Sequence, residues 1–509
     1  MSKDVFTHHR PQWKTHLGFL LAAIGSAVGL GNIWRFPYLC YKNGGGAFLL
    51  PYFIALFIVG IPLMILEIAL GHKMRGSAPA SVASIDKKWE WVGWWQVILG
   101  MVGILLYYAV IISWCVNYFF FAFSGAWTSD PNTFFFQKFL MTSASPFDIG
   151  DLRTPILFSL MLVWFFQWLI VFFGVQKGLE RANKIFMPLL IVLSATIVIW
   201  SMRLPGAGAG ISLYLRPQFS KLRDIRVWMD AFSQIFFSLS LGFGVILAYA
   251  SYLPKKSQIV KDSFIICMFN CLFSVFAGLG VFSVLGYMAQ STNQPISEVV
   301  TESIGLAFVV YPKAISMLPA FSREFGLIFF AILVIAGLSS GISILEGITS
   351  AIIDKFHYTR KVVVSVLSVL GFLGGMIFTT RAGLLWLDIV DHFVTHYGIV
   401  IAAILECLLV GWVFKAKKLR EHVNHYSVLE LKKWWWDTSV KVIAPLILLA
   451  LLMTTIFEEI TSPYGNYSRL AVIIIGRDWI FITVFMALFA ASSSWKVDPK
   501  QRMLELGKK

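Results

Sequence analysis

The sequence predicts an all-α polytopic membrane protein of about twelve transmembrane helices, and three observations carry that prediction. Hydrophobic residues make up 58% of the 509, charged residues 14%, and the mean hydropathy is +0.75. A soluble domain holds about 45–50% apolar and about 25% charged residues. The apolar residues gather in runs of about 20 or more, the length that crosses a bilayer. The cations gather between the runs, which accounts for the net charge of +15 without nucleic acid as a partner.

In chain order, the cores of the expected spans lie at 17–41, 47–71, 92–124, 154–174, 185–202, 228–252, 262–289, 325–353, 362–379, 384–414, 440–458 and 470–491. Long hydrophilic stretches are absent, so residues 1–509 read as a single membrane domain. The polar stretch Met1 to His16 leads straight into the first span with no small-residue cleavage site, so no removable signal peptide is expected. Basic residues cluster in alternate loops: Lys3, Arg10 and Lys14, then His72 to Lys88, Lys177 to Lys184, Lys255 to Lys261, Lys355 to Lys361 and Lys415 to Arg420. That alternation predicts both termini on the cytoplasmic side. Arg216, Lys221, Arg223 and Arg226 run against the bias. The long outer loops 125–153 and 290–324, with the amphipathic run Val299 to Val310, read as extracellular caps. Cys40, Cys115, Cys267, Cys271 and Cys407 all lie in or beside apolar runs, which argues against a disulfide framework or a zinc site.

The first span is interrupted. Gly25, Gly29 and Gly31 fall within seven residues, each a weaker helix former than alanine by about 1 kcal/mol. In hydrocarbon every freed backbone N–H and C=O needs a partner. Either an ion, substrate or water fills the gap, or the glycines serve close helix–helix contact. The sixth span repeats the pattern with Ser238, Ser240, Gly242 and Gly244. Two interrupted helices five spans apart predict a transporter with a 5+5 inverted repeat. Residues 1–202 would hold the first repeat with helices 1–5, 228–414 the second with helices 6–10, and 440–491 helices 11 and 12.

Five stretches then become recognisable: GSAVGLGNIWRFP over 25–37, Asn43 to Phe48, Gly60 to Glu67, Gln234 to Ser240, and Ala336 to Ser340. Together they closely resemble the neurotransmitter:sodium symporter family, above all its bacterial amino-acid transporters, along residues 10 to about 490. The resemblance implies two sodium sites. One takes the carbonyl of Ala27, the amide oxygens of Asn32 and Asn270, and Ser238. The other takes the carbonyls of Gly25, Val28 and Ala336 and the hydroxyls of Ser339 and Ser340. Sodium is a hard cation, so oxygen ligands suit it. From the residues alone, a Ser-Ser pair is as readily explained by bonds to its own helix, and a buried Asn by gluing helices together.

The resemblance implies an amino-acid substrate. Its carboxylate would meet the N–H groups of Leu30 and Gly31, at the start of a half-helix that favours an anion, and the hydroxyl of Tyr108. In relatives that carboxylate also completes the sodium site at Ala27 and Ser238. Amine-transporting relatives carry Asp where Gly29 stands, so this substrate should bring its own carboxylate. The carbonyls of Phe237 and Ser240 would receive the ammonium group, and Ile104, Phe237, Ser240, Phe243, Ser340 and Ile344 would line the side-chain pocket. None is charged, which fits a neutral hydrophobic side chain and penalises a buried lysine or glutamate. Arg35 and Asp391 match the outer gate, with Asp388 a competing partner; Arg10, Trp13 and Asp354 match the inner one. Gly178 and Pro188 bracket a turn of the fifth span that could unwind, and Glu67, Glu346 and Glu406 read as structurally paired carboxylates. Tyr52, Gln234, Ser238, Asn270 and Ser274 match the chloride ligands of the family's chloride-dependent members.

The expectation is a sodium-coupled amino-acid importer working by alternating access, in a bacterial inner membrane, with a homodimer as a compatible assembly. No nucleophile–base pair or metal cluster points to an enzyme. The rival is a sodium-dependent solute-binding sensor of the same fold that does not transport.

Overall fold

The computed structural model describes residues 10–127, 130–296, 303–462 and 464–501. Lys3 and the 299–302 part of the amphipathic run lie outside them. Among the described residues the chain is helical, with one isolated bridge between Leu152 and Thr380. Among the described residues ten helices are long and apolar enough to cross a membrane, and the bent pair His16–Ala27 and Leu30–Lys42 makes an eleventh. The expected twelfth span, sixth in chain order, is two helices, Ile225–Ser238 and Val245–Ala250, of 14 and 6 residues. Neither half reaches the roughly 20 residues of a span by itself.

Each interruption has a physical cause. The first helix starts on Thr15, whose hydroxyl accepts the Gly18 N–H at 3.0 Å, and it stops at Ala27. Val28 and Gly29 are extended, and the chain restarts at Leu30 at 66° to its first direction. The backbone at Gly29 (φ −123°, ψ −166°) suits any residue; space is what demands glycine there. A Cβ would lie 3.1 Å from Ser340 Oγ and 3.3 Å from the Tyr108 hydroxyl. In the sixth span Ser240, Gly242 and Gly244 all have positive φ (54°, 81° and 69°), which ends a right-handed helix. The freed Gly242 N–H is taken by Glu67 Oε1 at 2.7 Å, so the buried carboxylate holds the break open.

The fifth helix begins at Val175, earlier than the expected 185, because its charged first turns are internally satisfied. Buried Glu180 accepts from the Lys14 N–H at 2.7 Å, the Thr15 hydroxyl at 2.8 Å and Lys184 at 2.7 Å. The helix continues through Pro188 to Ser201, so the bracketed turn is wound in this structure. Gly178 serves packing: a Cβ there would lie 1.8 Å from the Ile170 carbonyl.

Both described chain ends meet at one end of the eighth span, Ser322–Phe356. Arg10 binds Asp354, and the Lys496 N–H donates to the Lys355 carbonyl at 3.3 Å. Lys355 is fully buried; its Nζ lies 2.6 Å from Glu90, which also accepts from Trp495 Nε1 at 2.7 Å. Nearby Lys87 holds the Asp498 carboxyl below the usual carboxylate range. At the opposite end, aromatic rings tie the two cap segments together. Phe135 stacks on Phe308 at 5.2 Å, and Phe308 reaches Trp34 at 6.3 Å.

Candidate functional site

The two breaks face one another across a chain of buried amides. Asn32 reaches back to the break, its Oδ1 accepting the Gly29 N–H at 2.9 Å. Its Nδ2 donates to Asn270 Oδ1 at 2.8 Å and to Ser274 Oγ at 2.7 Å, and Asn270 Nδ2 donates to Ser238 Oγ at 3.0 Å. Asn32, Asn270, Ser274 and Ser238 are all buried, as is Ala27 at the end of the first half-helix. Three of the four residues expected at the first sodium site are thus joined in one network. A half-turn of a carboxamide presents its oxygen in place of its NH2, and oxygen is the ligand that sodium requires.

A second group converges on Gly25. Ser340 Oγ donates to the carbonyls of Gly25 (3.4 Å) and Ser26 (3.3 Å). Ser339 Oγ donates to Asn183 Oδ1 at 2.7 Å rather than back into its own helix, as Ser343 does to the Ser339 carbonyl. A Cβ on Gly25 would stand 2.3 Å from Ser339 Oγ and 2.6 Å from Asn183 Oδ1. Only a residue without a side chain leaves that oxygen cluster room. Ala336, one turn earlier on the same face, and Val28 are fully buried beside the group. A neutral set of hydroxyl and carbonyl oxygens fits a monovalent hard cation.

Between the two groups lie the residues expected to hold the substrate. The Tyr108 hydroxyl and Ser340 Oγ stand side by side at the break, 3.3 Å and 3.1 Å from where a Gly29 Cβ would lie, which sets the hydroxyl at the mouth of the half-helix where a carboxylate is expected. A Cβ on Gly31 would meet nothing within 4 Å, so space opens at that turn. Ser240 Oγ braces the break by donating to the Ser26 carbonyl at 3.0 Å. The Phe237 carbonyl already accepts the Ser240 N–H at 3.2 Å, so an ammonium group would share it. Phe243 and Ile344 flank Gly100, whose Cβ would lie 3.2 Å from Ile344 and 3.9 Å from the Phe243 carbonyl; Ile104 follows one turn later, buried.

Beside the amides, the fully buried Tyr52 hydroxyl lies next to Ser238, Cys271 and Ser274 without a hydrogen bond of good geometry to any of them. Gln234 Oε1 is likewise buried without a partner. Buried polar atoms without partners cost about 1–3 kcal/mol each. The hydroxyls and a turned Gln234 carboxamide offer N–H and O–H donors, the donor set an anion needs.

The gates differ from one another. At the expected inner gate Arg10 Nη1 lies 2.6 Å and 2.9 Å from the two oxygens of Asp354. Arg10 also donates to Ser251 Oγ and lies 4.9 Å from the Tyr252 ring centre, while the Ser77 N–H donates to Asp354 at 2.8 Å. Trp13 Nε1 donates to the Tyr249 carbonyl at 2.9 Å, so all three residues expected at the inner gate are engaged there. At the outer end Arg35 and Asp391 form no ion pair: Arg35 sits over the Phe237 ring at 5.0 Å, and Asp391 accepts the Tyr107 hydroxyl at 2.5 Å. Asp388 is engaged elsewhere, by Tyr464 at 3.0 Å and Tyr467 at 2.9 Å. Above Phe237 lies a cavity of about 400 Å³ lined by Arg35, Asp230, His396 and Glu458 among others.

Of the remaining carboxylates, Glu346 is paired, with Arg360 at 2.6 Å and the Tyr252 hydroxyl at 2.7 Å. Glu67 and Glu406 meet no cation: Glu67 serves Gly242, Glu406 accepts Gln96 Nε2 at 2.8 Å, and each keeps one buried oxygen without a partner. Sequence reasoning missed Asn183 and Tyr107. Asn183 fell just outside the assumed span core, although an Asn between Gly178 and Pro188 in an apolar segment was a usable signal.

A helical membrane protein with two spans broken about a shared, buried polar network has the architecture of a transporter. A family model described as the sodium:neurotransmitter symporter family matches residues 10–134 and 126–496. An uncharacterized sodium-dependent transporter of Methanocaldococcus jannaschii is 49% identical over 464 residues, 91% of this chain and 94% of its own. The sodium- and chloride-dependent neutral and basic amino acid transporter B(0+) of Homo sapiens is 33% identical over 528 residues, 90% and 81% of the two chains. The sodium- and chloride-dependent GABA transporter 2 of Rattus norvegicus is 33% identical over 478 residues, 84% and 78%. The chain belongs to the sodium:neurotransmitter symporter family. It is an integral membrane transporter of a small solute, sodium-dependent, and not an enzyme.

Proposed function

We propose that the protein imports neutral hydrophobic L-amino acids with two sodium ions, by alternating access of one repeat (1–202) against the other (228–414), in a bacterial inner membrane with both termini in the cytoplasm. The observation that carries this reading is the amide network from Asn32 through Asn270 to Ser238, which ties the two broken spans together. A sodium ion replacing those hydrogen bonds would draw the half-helices onto the substrate between them. Gly29, with Tyr108 and Ser340 beside it, supports a substrate that carries its own carboxylate. The human relative is named for neutral and basic amino acids. Here the pocket residues Ile104, Phe237, Phe243 and Ile344 offer no carboxylate to a lysine side chain, which supports the narrower range. The names of two relatives include chloride, and the partnerless Tyr52 and Gln234 atoms support a chloride beside Ser238, Asn270 and Ser274.

Each charge moved through 100 mV is worth about 2.3 kcal/mol. Two sodium ions with a zwitterion therefore support accumulation of roughly 10³-fold before the chemical gradient adds more. The test is uptake of labelled leucine by purified protein in proteoliposomes, with and without an inward sodium gradient. Concentrative uptake that collapses with the gradient is expected. Sodium-dependent binding without accumulation would replace the transporter by the sensor.

A further inference from the structure

Asn183 lies on the fifth span, in the helical turn between Gly178 and Pro188, and is fully buried. Its carboxamide faces two ways. Nδ2 donates to the Leu179 carbonyl at 2.9 Å, within its own helix. Oδ1 accepts the Ser339 hydroxyl at 2.7 Å and points at the bare Cα of Gly25. This second contact decides what Ser339 can do. A serine in an apolar helix ordinarily donates to the carbonyl one turn back, here that of Ile335. A hydroxyl that binds a cation presents its lone pairs to the ion and must place its proton elsewhere. In hydrocarbon no water is there to take it.

We propose that Asn183 is a positioning residue for the second sodium site: by accepting the Ser339 proton it turns the lone pairs of Ser339 toward the ion held at Gly25 and Ser340, and it makes the fifth span part of that site. The inference rests on the sodium reading of the Gly25–Ser339–Ser340 group. Proline at 188 removes one backbone hydrogen bond from the same helix, so Asn183 sits where the helix is least held by its own backbone. Sodium bound at Ser339 then stabilises that turn through the Asn183 contact.

The two halves of the carboxamide separate this role from a structural one. Asn183→Asp keeps the acceptor for Ser339 and loses the donor to Leu179; Asn183→Ala loses both. The measurement is equilibrium binding of radioactive sodium to the purified full chain, displaced by unlabelled sodium chloride, with monodispersity on size exclusion as the folding check. Asn183→Ala is expected to weaken the lower-affinity or higher-affinity component at one site about tenfold, near 1.4 kcal/mol, the scale of one buried hydrogen bond. Asn183→Asp should restore it, and in a Ser339→Ala background Asn183→Ala should change nothing further. Should the alanine variant not fold, the aspartate variant decides: wild-type or tighter sodium binding supports the role, and tenfold weaker binding overturns it. Equal weakening in Ala and Asp, or additivity with Ser339→Ala, overturns the proposal while leaving the site. An unchanged sodium isotherm in Ser339→Ala itself overturns both the site and the proposal.

Discussion

Asp354→Ala should release the inner gate. In the closed gate the Arg10 and Asp354 side chains are 6% and 3% exposed and form two N–O contacts of 2.6 Å and 2.9 Å. Asp354 also caps the Ser77 N–H, and Arg10 rests on Tyr252. Removing one partner of a buried pair costs about 3–5 kcal/mol, much of it the uncompensated charge left behind. The long Arg10 side chain can turn its guanidinium towards water, so about 2–3 kcal/mol is the expected net loss. As a gate, the pair would exist only when the inner path is closed. The whole loss therefore falls on that state, and the ratio of open to closed rises roughly 30- to 150-fold. The reporter is Ser350→Cys, one helical turn below Asp354 on the same face and 3% exposed. The native cysteines are all buried, so background labelling by a membrane-impermeant thiol reagent from the inner side is low. The labelling rate should rise tens of fold in Asp354→Ala, and similarly in Arg10→Ala, with the double substitution adding little. An unchanged rate in both single variants would refute the gate and the energetics behind it.

Three further outcomes are expected. Asn32→Ala, which deletes the hub of three side-chain contacts, should raise the sodium needed for half-maximal substrate binding at least about tenfold, measured by titrating sodium at fixed labelled leucine; an unshifted titration counts against the first site. Leucine and other neutral hydrophobic L-amino acids should compete for uptake, while tryptamine, lysine and glutamate should not, and strong competition by lysine would show that the pocket holds a counter-charge. Replacing chloride by gluconate should depress uptake, and Ser274→Glu should restore it by fixing a negative charge beside Tyr52 and Asn270; full uptake by the unaltered chain in gluconate sinks the chloride reading.

The sequence by itself determined the class, the spans and the two breaks. Membrane insertion is a local property, set by about 20 apolar residues at a time, and the glycines of 25–31 and 242–244 mark backbone that is only weakly helical by itself. Motifs also assembled most of the candidate site, because Asn32, Ser238, Asn270 and Ser274 lie on short segments whose order along the chain is informative. Partner choice was another matter. Nothing local says that Arg35 lies on Phe237 while Tyr107 takes Asp391, that Glu67 serves the Gly242 N–H, or that Ser339 turns its proton to Asn183 instead of its own helix. Those contacts join residues 156 or more positions apart. In the low-dielectric interior each buried donor must settle on one acceptor among several within reach, and that competition is decided only when the helices have packed.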